Sequence, residues 1–239
     1  MKIILFLLIL SILKIIYRHK QKIQPLEVDI ILSPGGFKGI YMIGICHYVK
    51  THFPIQEKSI AGFSCGSFNA LFMRLNPELD HVFLRHLFAM DLRSSIHKLL
   101  TDTISTLHDH FDFEDFDLRQ KTQMGVSTWK GLELFHDFSS MQDLIACCKS
   151  SSFIPFVTQR DVLLFYKNKM TFDGGFCYKR IKKNKKKETL LITSSMFGRY
   201  KESMIAGVKR PKCSYYQLYL YGYRDAQKNH SFFEPYFKS

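Results

Sequence analysis

Ser59-Ile60-Ala61-Gly62-Phe63-Ser64-Cys65-Gly66-Ser67-Phe68 is the stretch that decides how this 239-residue chain folds. Its first five residues, SIAGF, form a short apolar run of the kind that fills a buried strand, and helical spacing resumes after Gly66 through about Leu75. Between the two lies Gly62-Phe63-Ser64-Cys65-Gly66, a match to G-x-S-x-G. In a strand–turn–helix setting, small residues on either side let the chain turn sharply and leave the central hydroxyl exposed. That hydroxyl stands beside a helix amino terminus, whose free N–H groups and dipole favour developing negative charge.

The segment upstream repeats the pattern. Val28 to Ser33 (VDIILS) predicts a strand that runs into Pro34-Gly35-Gly36-Phe37-Lys38-Gly39, and Gly39 to Thr51 has helical spacing. Two such units in succession predict parallel strands in an α/β sheet. Downstream, helical pattern continues unevenly from Pro77 to about Leu107. Gly131–Phe135 reads as a strand and Met141–Lys149 as a helix. Asp161–Tyr166 and Lys169–Phe172 pair as a hairpin around Lys167-Asn168, Thr189–Thr193 is a strand, and Tyr215 to about Asn229 a helix.

The glycine loop at residues 34–39 lets consecutive N–H groups converge on one oxygen. Phosphate binding is one use of such a loop, but both G-x-x-x-x-G-K-[ST] and G-x-G-x-x-G are missing. An oxyanion hole for acyl transfer is the other, and a plain helix-capping loop the third. Asp173-Gly174-Gly175 follows a predicted strand end; alone it is an ordinary turn. Beside a serine nucleophile it gains weight, because a carboxylate within hydrogen-bond reach can take the proton directly.

Taken together and in this order, the glycine loop, G-x-S-x-G and D-G-G resemble the patatin-like phospholipase family. Ser150–Phe156 (SSSFIPF) and Gly222-Tyr223-Arg224-Asp225-Ala226 add to the resemblance, which spans about Val28 to Phe233. It implies a three-layer α/β/α sandwich with a mainly parallel central sheet, and hydrolysis of lipid acyl esters with neither metal nor cofactor. By position, Ser64 is then the nucleophile and Asp173 its general base. Backbone N–H groups of Gly35, Gly36 and Phe37 form the oxyanion hole, supported by Lys38, Gly39, Gly62, Gly66, Gly174 and Gly175. The chain departs from the family pattern at Pro34, which replaces a glycine and removes one N–H donor. Lys38 replaces an arginine, and Lys179 stands where asparagine is common. Two alternatives stay open: a catalytically weak or inactive lipid-binding protein, and a Ser-Asp-His esterase using His230.

Composition limits the remaining possibilities. A 46% hydrophobic content with seven prolines excludes a mostly disordered chain. The net charge of +13 would suit nucleic acid if it were spread evenly. Instead, residues 28–178 hold 14 basic and 16 acidic side chains, whereas residues 179–239 hold 15 and four. No nucleic-acid partner is therefore expected. Lys179–Lys187 (KRIKKNKKK), seven basic residues in nine, is expected to adhere to anionic headgroups. Residues 1–22 are apolar with basic flanks and read as a membrane anchor or signal-anchor, 23–27 as a linker, and 28–239 as the catalytic domain. Basic residues after the apolar run place that domain on the cytosolic face, beside a phospholipid or other acyl-lipid substrate. The six cysteines show no framework spacing. The stretch from His108 through Asp117 lacks the spacing of a calcium loop and reads as a solvent-facing acidic segment.

Overall fold

Ile30–Leu32 (β1) is buried on both faces, as its unbroken apolar run requires. It lies between two parallel neighbours, Ile60–Phe63 (β2) and Leu190–Ile192 (β7). A computed structural model describes residues 28–91, 93–118, 121–178, 188–201 and 207–238. The anchor and linker expected at 1–22 and 23–27 and the basic run Lys179–Lys187 lie outside the described residues. No helix among the described residues is long and apolar enough to cross a membrane.

Helices follow the first two strands as the spacing predicts: Gly39–His52 (α1) and Cys65–Arg74 (α2). The helical stretch expected from Pro77 to Leu107 is instead two helices, Asp80–Ala89 (α3) and Ile96–His110 (α4). Ser95 starts the second by accepting a hydrogen bond from the Lys98 N–H. Next come Thr122–Thr128 (β3), Gly131–Phe135 (β4), Met141–Ser151 (α5), Leu164–Tyr166 (β5) and Lys169–Phe172 (β6). Gly175–Tyr178 (α6), Tyr215–Lys228 (α7) and His230–Phe237 (α8) complete the described elements.

By pairing, the sheet runs β5-β6-β3-β2-β1-β7, with β4 also paired to β3. The architecture is α/β, but the sheet is mixed and not mainly parallel: β1–β2, β1–β7 and β2–β3 are parallel, whereas β3–β4, β3–β6 and β5–β6 are antiparallel. For two of the three antiparallel pairs the reason is connection length. Two residues, Trp129-Lys130 and Lys167-Asn168, join β3 to β4 and β5 to β6, and only an antiparallel pair can be closed so briefly. Lys167 and Asn168 both take positive φ, 45° and 61°, the geometry that matches strand twist in a two-residue hairpin.

The register positions two strand ends against each other. Thr128 faces Gly131 of β4 and Thr171 of β6, while Met124 faces Phe135 of β4 and Gly62 of β2. Since β4 occupies one edge of β3 throughout, β2 and β6 share the other. They approach head-on, and Ser64 and Asp173, the residues after each, meet level with Val126. The main core fills the sheet face that carries Ile30 and Leu32, under α1, α2 and α7; Ile31, Ala61 and Phe63 form a smaller cluster with Tyr178 on the other. Helices α1 and α7 touch at backbone distance: a Cβ on Gly44 would stand 2.0 Å from the Tyr219 carbonyl oxygen, and one on Gly222 1.8 Å from that of Tyr41.

Candidate active site

Ser64 joins β2 to α2 at φ 56° and ψ −128°, a conformation rarely adopted by a non-glycine residue. Two neighbouring glycines make the turn possible. A Cβ on Gly62 would lie 2.3 Å from the Gly66 carbonyl oxygen, and one on Gly66 2.3 Å from that of Leu32. The Ser64 hydroxyl donates to Asp173 Oδ2 at 2.6 Å.

Asp173 is held from three sides. Its N–H donates to the Phe153 carbonyl at 2.7 Å, the Gly174 N–H donates to that of Ser151 at 2.8 Å, and the Gly175 N–H donates to Asp173 Oδ1 at 2.7 Å. The carboxyl is buried with no cation paired to it among the described residues, and burial pushes its pKa up to about 6; the bonds from Ser64 and Gly175 pull the other way. A carboxylate in that range is a competent proton acceptor near neutral pH.

Ser151 links the site to β3: its Oγ accepts from the Ser64 N–H at 2.9 Å and donates to the Gly125 carbonyl at 2.7 Å. The SSSFIPF segment was singled out above by resemblance alone. The contacts of its Ser151 and Phe153 give those two residues a physical role: they fix the Ser64 and Asp173 turns to one another.

In the glycine loop, Gly36 takes φ +55°, and a Cβ there would stand 2.4 Å from the Gly207 carbonyl oxygen. Cys65 Sγ lies against the loop, 3.5 Å from where a Cβ on Gly35 would stand, and burial pushes its thiol up to about 12 and so keeps it neutral. Phe37 contributes its ring to the core, 6.4 Å from Tyr215. The Lys38 ammonium, its pKa lowered by burial, donates to the Lys201 carbonyl at 2.7 Å and ties the loop down. Gly39 abuts Cys65, with a Cβ position 2.9 Å from Sγ.

Ser64 and Asp173 open onto a cavity of about 310 Å³ whose walls are mainly apolar, among them Ile40, Ile43, Phe68, Phe83, Leu99 and Leu100. Sequence reasoning missed Cys65 and Ser152 as cavity residues. The Ser152 hydroxyl is buried and has no hydrogen-bond partner among the described residues. A serine run at a helix end reads as a cap, and only the fold turns it inward.

His230 is elsewhere. Its Nδ1 pairs with the Tyr48 hydroxyl at 2.8 Å, and its ring stacks on Phe53. Tyr48 is nine residues along α1 from Gly39, about 13 Å by helical rise. No histidine lines the cavity among the described residues, so the Ser-Asp-His arrangement is not assembled. The acidic stretch after His108 forms a short capped turn in which Asp115 accepts from the Asp112 N–H, and no group of three ligating side chains occurs among the described residues. No family model matches the chain, and no curated protein does either.

Proposed function

We propose that the chain is a metal-independent serine acyl hydrolase that cleaves fatty-acyl esters of lipids, in the manner of the patatin-like phospholipases it resembles. One observation carries the reading: Ser64, in a strained turn between strand and helix, donates at 2.6 Å to a buried carboxylate that no histidine separates from it. The apolar cavity at the same point suits an acyl chain.

In this reading Asp173 Oδ2 takes the Ser64 proton as Oγ attacks the ester carbonyl carbon. The oxygen that becomes negative is met by the Gly35 and Gly36 N–H groups and by the amino end of α2. Collapse of the tetrahedral species expels the alcohol, which leaves with the proton held on Asp173, and water then repeats the sequence on the acyl-enzyme. A lipid-binding module without turnover is the second reading, favoured by Pro34, which lacks an N–H.

The test compares wild type, Ser64→Ala, Asp173→Asn and His230→Ala on phospholipid vesicles and on a soluble short-chain ester, together with labelling by a fluorophosphonate. Hydrolysis and labelling that vanish with Ser64→Ala and survive His230→Ala are expected. Hydrolysis that survives Ser64→Ala overturns the assignment, and an unlabelled wild type moves it to the binding module.

A further inference from the structure

The exposed large apolar side chains of the described residues are not scattered. Six of eight fall between residues 129 and 165: Trp129, Phe156, Val157, Val162, Leu163 and Phe165. Phe165 is 62% exposed, Trp129 50% and Phe156 48%, so about half or more of each ring's surface is left in water.

Chain position and register place them near the site. Ser64 is level with Val126, so Trp129, the residue after β3, stands three residues further along, about 10 Å beyond the site by strand rise. Thr171 of β6 pairs with Leu164 of β5 two residues before Asp173, which puts Leu164 on the order of 8 Å from that residue. The β5–β6 hairpin therefore projects past the nucleophile. Phe156 and Val157 sit between Ile154 and Thr158, both of which line the cavity.

The loop that shows Phe156 to solvent is built to do so. Phe156 takes φ 61°, unfavourable for a bulky residue, and is held there by short bonds. The Thr158 hydroxyl donates to the Ser152 carbonyl at 2.7 Å and accepts from the Ile154 N–H at 2.7 Å. Cations accompany the patch. Lys130 Nζ lies 5.1 Å from the Trp129 ring centre, and the Lys167 and Lys169 side chains are partly exposed on the hairpin that carries Phe165. Apolar side chains flanked by lysines complement a phospholipid surface, in which apolar chains lie beneath a layer of phosphate.

We infer that these six side chains form the surface by which the protein docks on a phospholipid bilayer, with the cavity opening toward the lipid. The choice of lipid as partner rests on the acyl-hydrolase reading above.

Trp129 is the chain's single tryptophan, so the surface carries its own probe. The full chain with Ser64→Ala is mixed with phosphatidylcholine vesicles containing phosphatidylglycerol, with and without bromine on the acyl chains. Trp129 emission is expected to shift to the blue and to be quenched by bromine. Adding Phe156→Asn, a residue that tolerates positive φ, and Phe165→Thr is expected to remove most of the blue shift and bromine quenching of Trp129, a readout that attachment through residues 1–22 or Lys179–Lys187 does not supply. The same pair in the Ser64-intact chain leaves hydrolysis of a soluble short-chain ester unchanged.

Absence of vesicle binding overturns the inference. So does binding with unshifted, unquenched Trp129 emission, which places the contact elsewhere, or Trp129 quenching that survives the double variant. A blue-shifted Trp129 in a lipid-free dimer assigns the surface to a second copy and also overturns it. A chain that docks here but hydrolyses nothing upsets the enzyme reading alone. One that hydrolyses soluble ester through Ser64 but does not dock upsets this surface alone.

Discussion

Asp173 and Asp225 are both buried carboxylates near the glycine loop, and they are held in opposite ways. Asp225 on α7 accepts two bonds from the Arg199 guanidinium, at 2.6 and 2.8 Å, and one from the Tyr41 hydroxyl at 2.9 Å. These partners hold its carboxyl below the usual range, the Arg199 bonds first, against burial that pushes it up. Asp173 is bonded to a serine hydroxyl and a backbone N–H, and burial raises it to about 6. The difference separates a carboxylate bound to a guanidinium from one that, among the described residues, has no cation beside it, and only the second is raised toward neutral pH.

The largest expected effect tests the second half of that contrast. Ser64→Ala should lower ester hydrolysis by about 10⁴-fold or more, while Asp225→Asn stays within roughly threefold of wild type. Comparable losses from the two variants would break the comparison. Next, Asp173→Asn should cost about 10³-fold or more in kcat, since Asn keeps the shape and loses the base. Wild-type kcat/KM on a soluble ester should fall tenfold per pH unit below about 6, the range in which Asp173 protonates.

Ser151→Ala comes third, at roughly 10–100-fold in kcat, because it frees the Ser64 N–H and loosens the turn relative to β3. Its test includes the shape of the pH profile: a supporting role leaves the pKa near 6 in place and lowers only the plateau. The smallest effects are on stability, and they differ in sign. A carboxyl whose folded pKa is raised holds its proton more tightly when folded, so stability falls as pH rises from about 3.9 through about 6. Asp173→Asn removes that slope and should gain up to about 3 kcal/mol at pH 8 and almost nothing at pH 4, measured by urea unfolding. Asp225, with its lowered pKa, contributes stability above the unfolded value that is lost as pH falls through the folded one. Asp225→Asn should therefore lose about 1–3 kcal/mol near neutral pH and progressively less in acid, the partly exposed Arg199 limiting the figure.

Much of this was legible where local rules sufficed. The strands at 30–32 and 60–63, the helices that follow and the hairpin turn at Lys167-Asn168 appear where apolar runs and turn residues put them. β3 was not, although it lies at the junction of the sheet. Its TQMGVST carries turn-like residues, each explained only by tertiary contacts. Gly125 makes room for the Phe63 ring, 1.9 Å from a Cβ there; Thr122 Oγ1 accepts from buried Arg74, and Ser127 Oγ accepts from the Cys177 N–H. Ser64 and Asp173 were each visible as motifs, but what brings them together is the meeting of β2 and β6 along one edge of β3, and register is a long-range property. His230 drew attention as a titratable residue after the acid, a criterion of order that carries no distance.

The pairing of Ser64 with Asp173 spans 109 positions, and that of Tyr41 with Asp225 spans 184. At about 5–20 residues per second of synthesis, a growing chain holds Ser64 for roughly 5–20 s before Asp173 exists. The helix that touches Gly44 and Tyr41 arrives later still. In the proposed reading the serine is unactivated for that interval, so the order of manufacture keeps the nascent protein chemically silent toward esters, and the same interval is the time when a chaperone has most to hold.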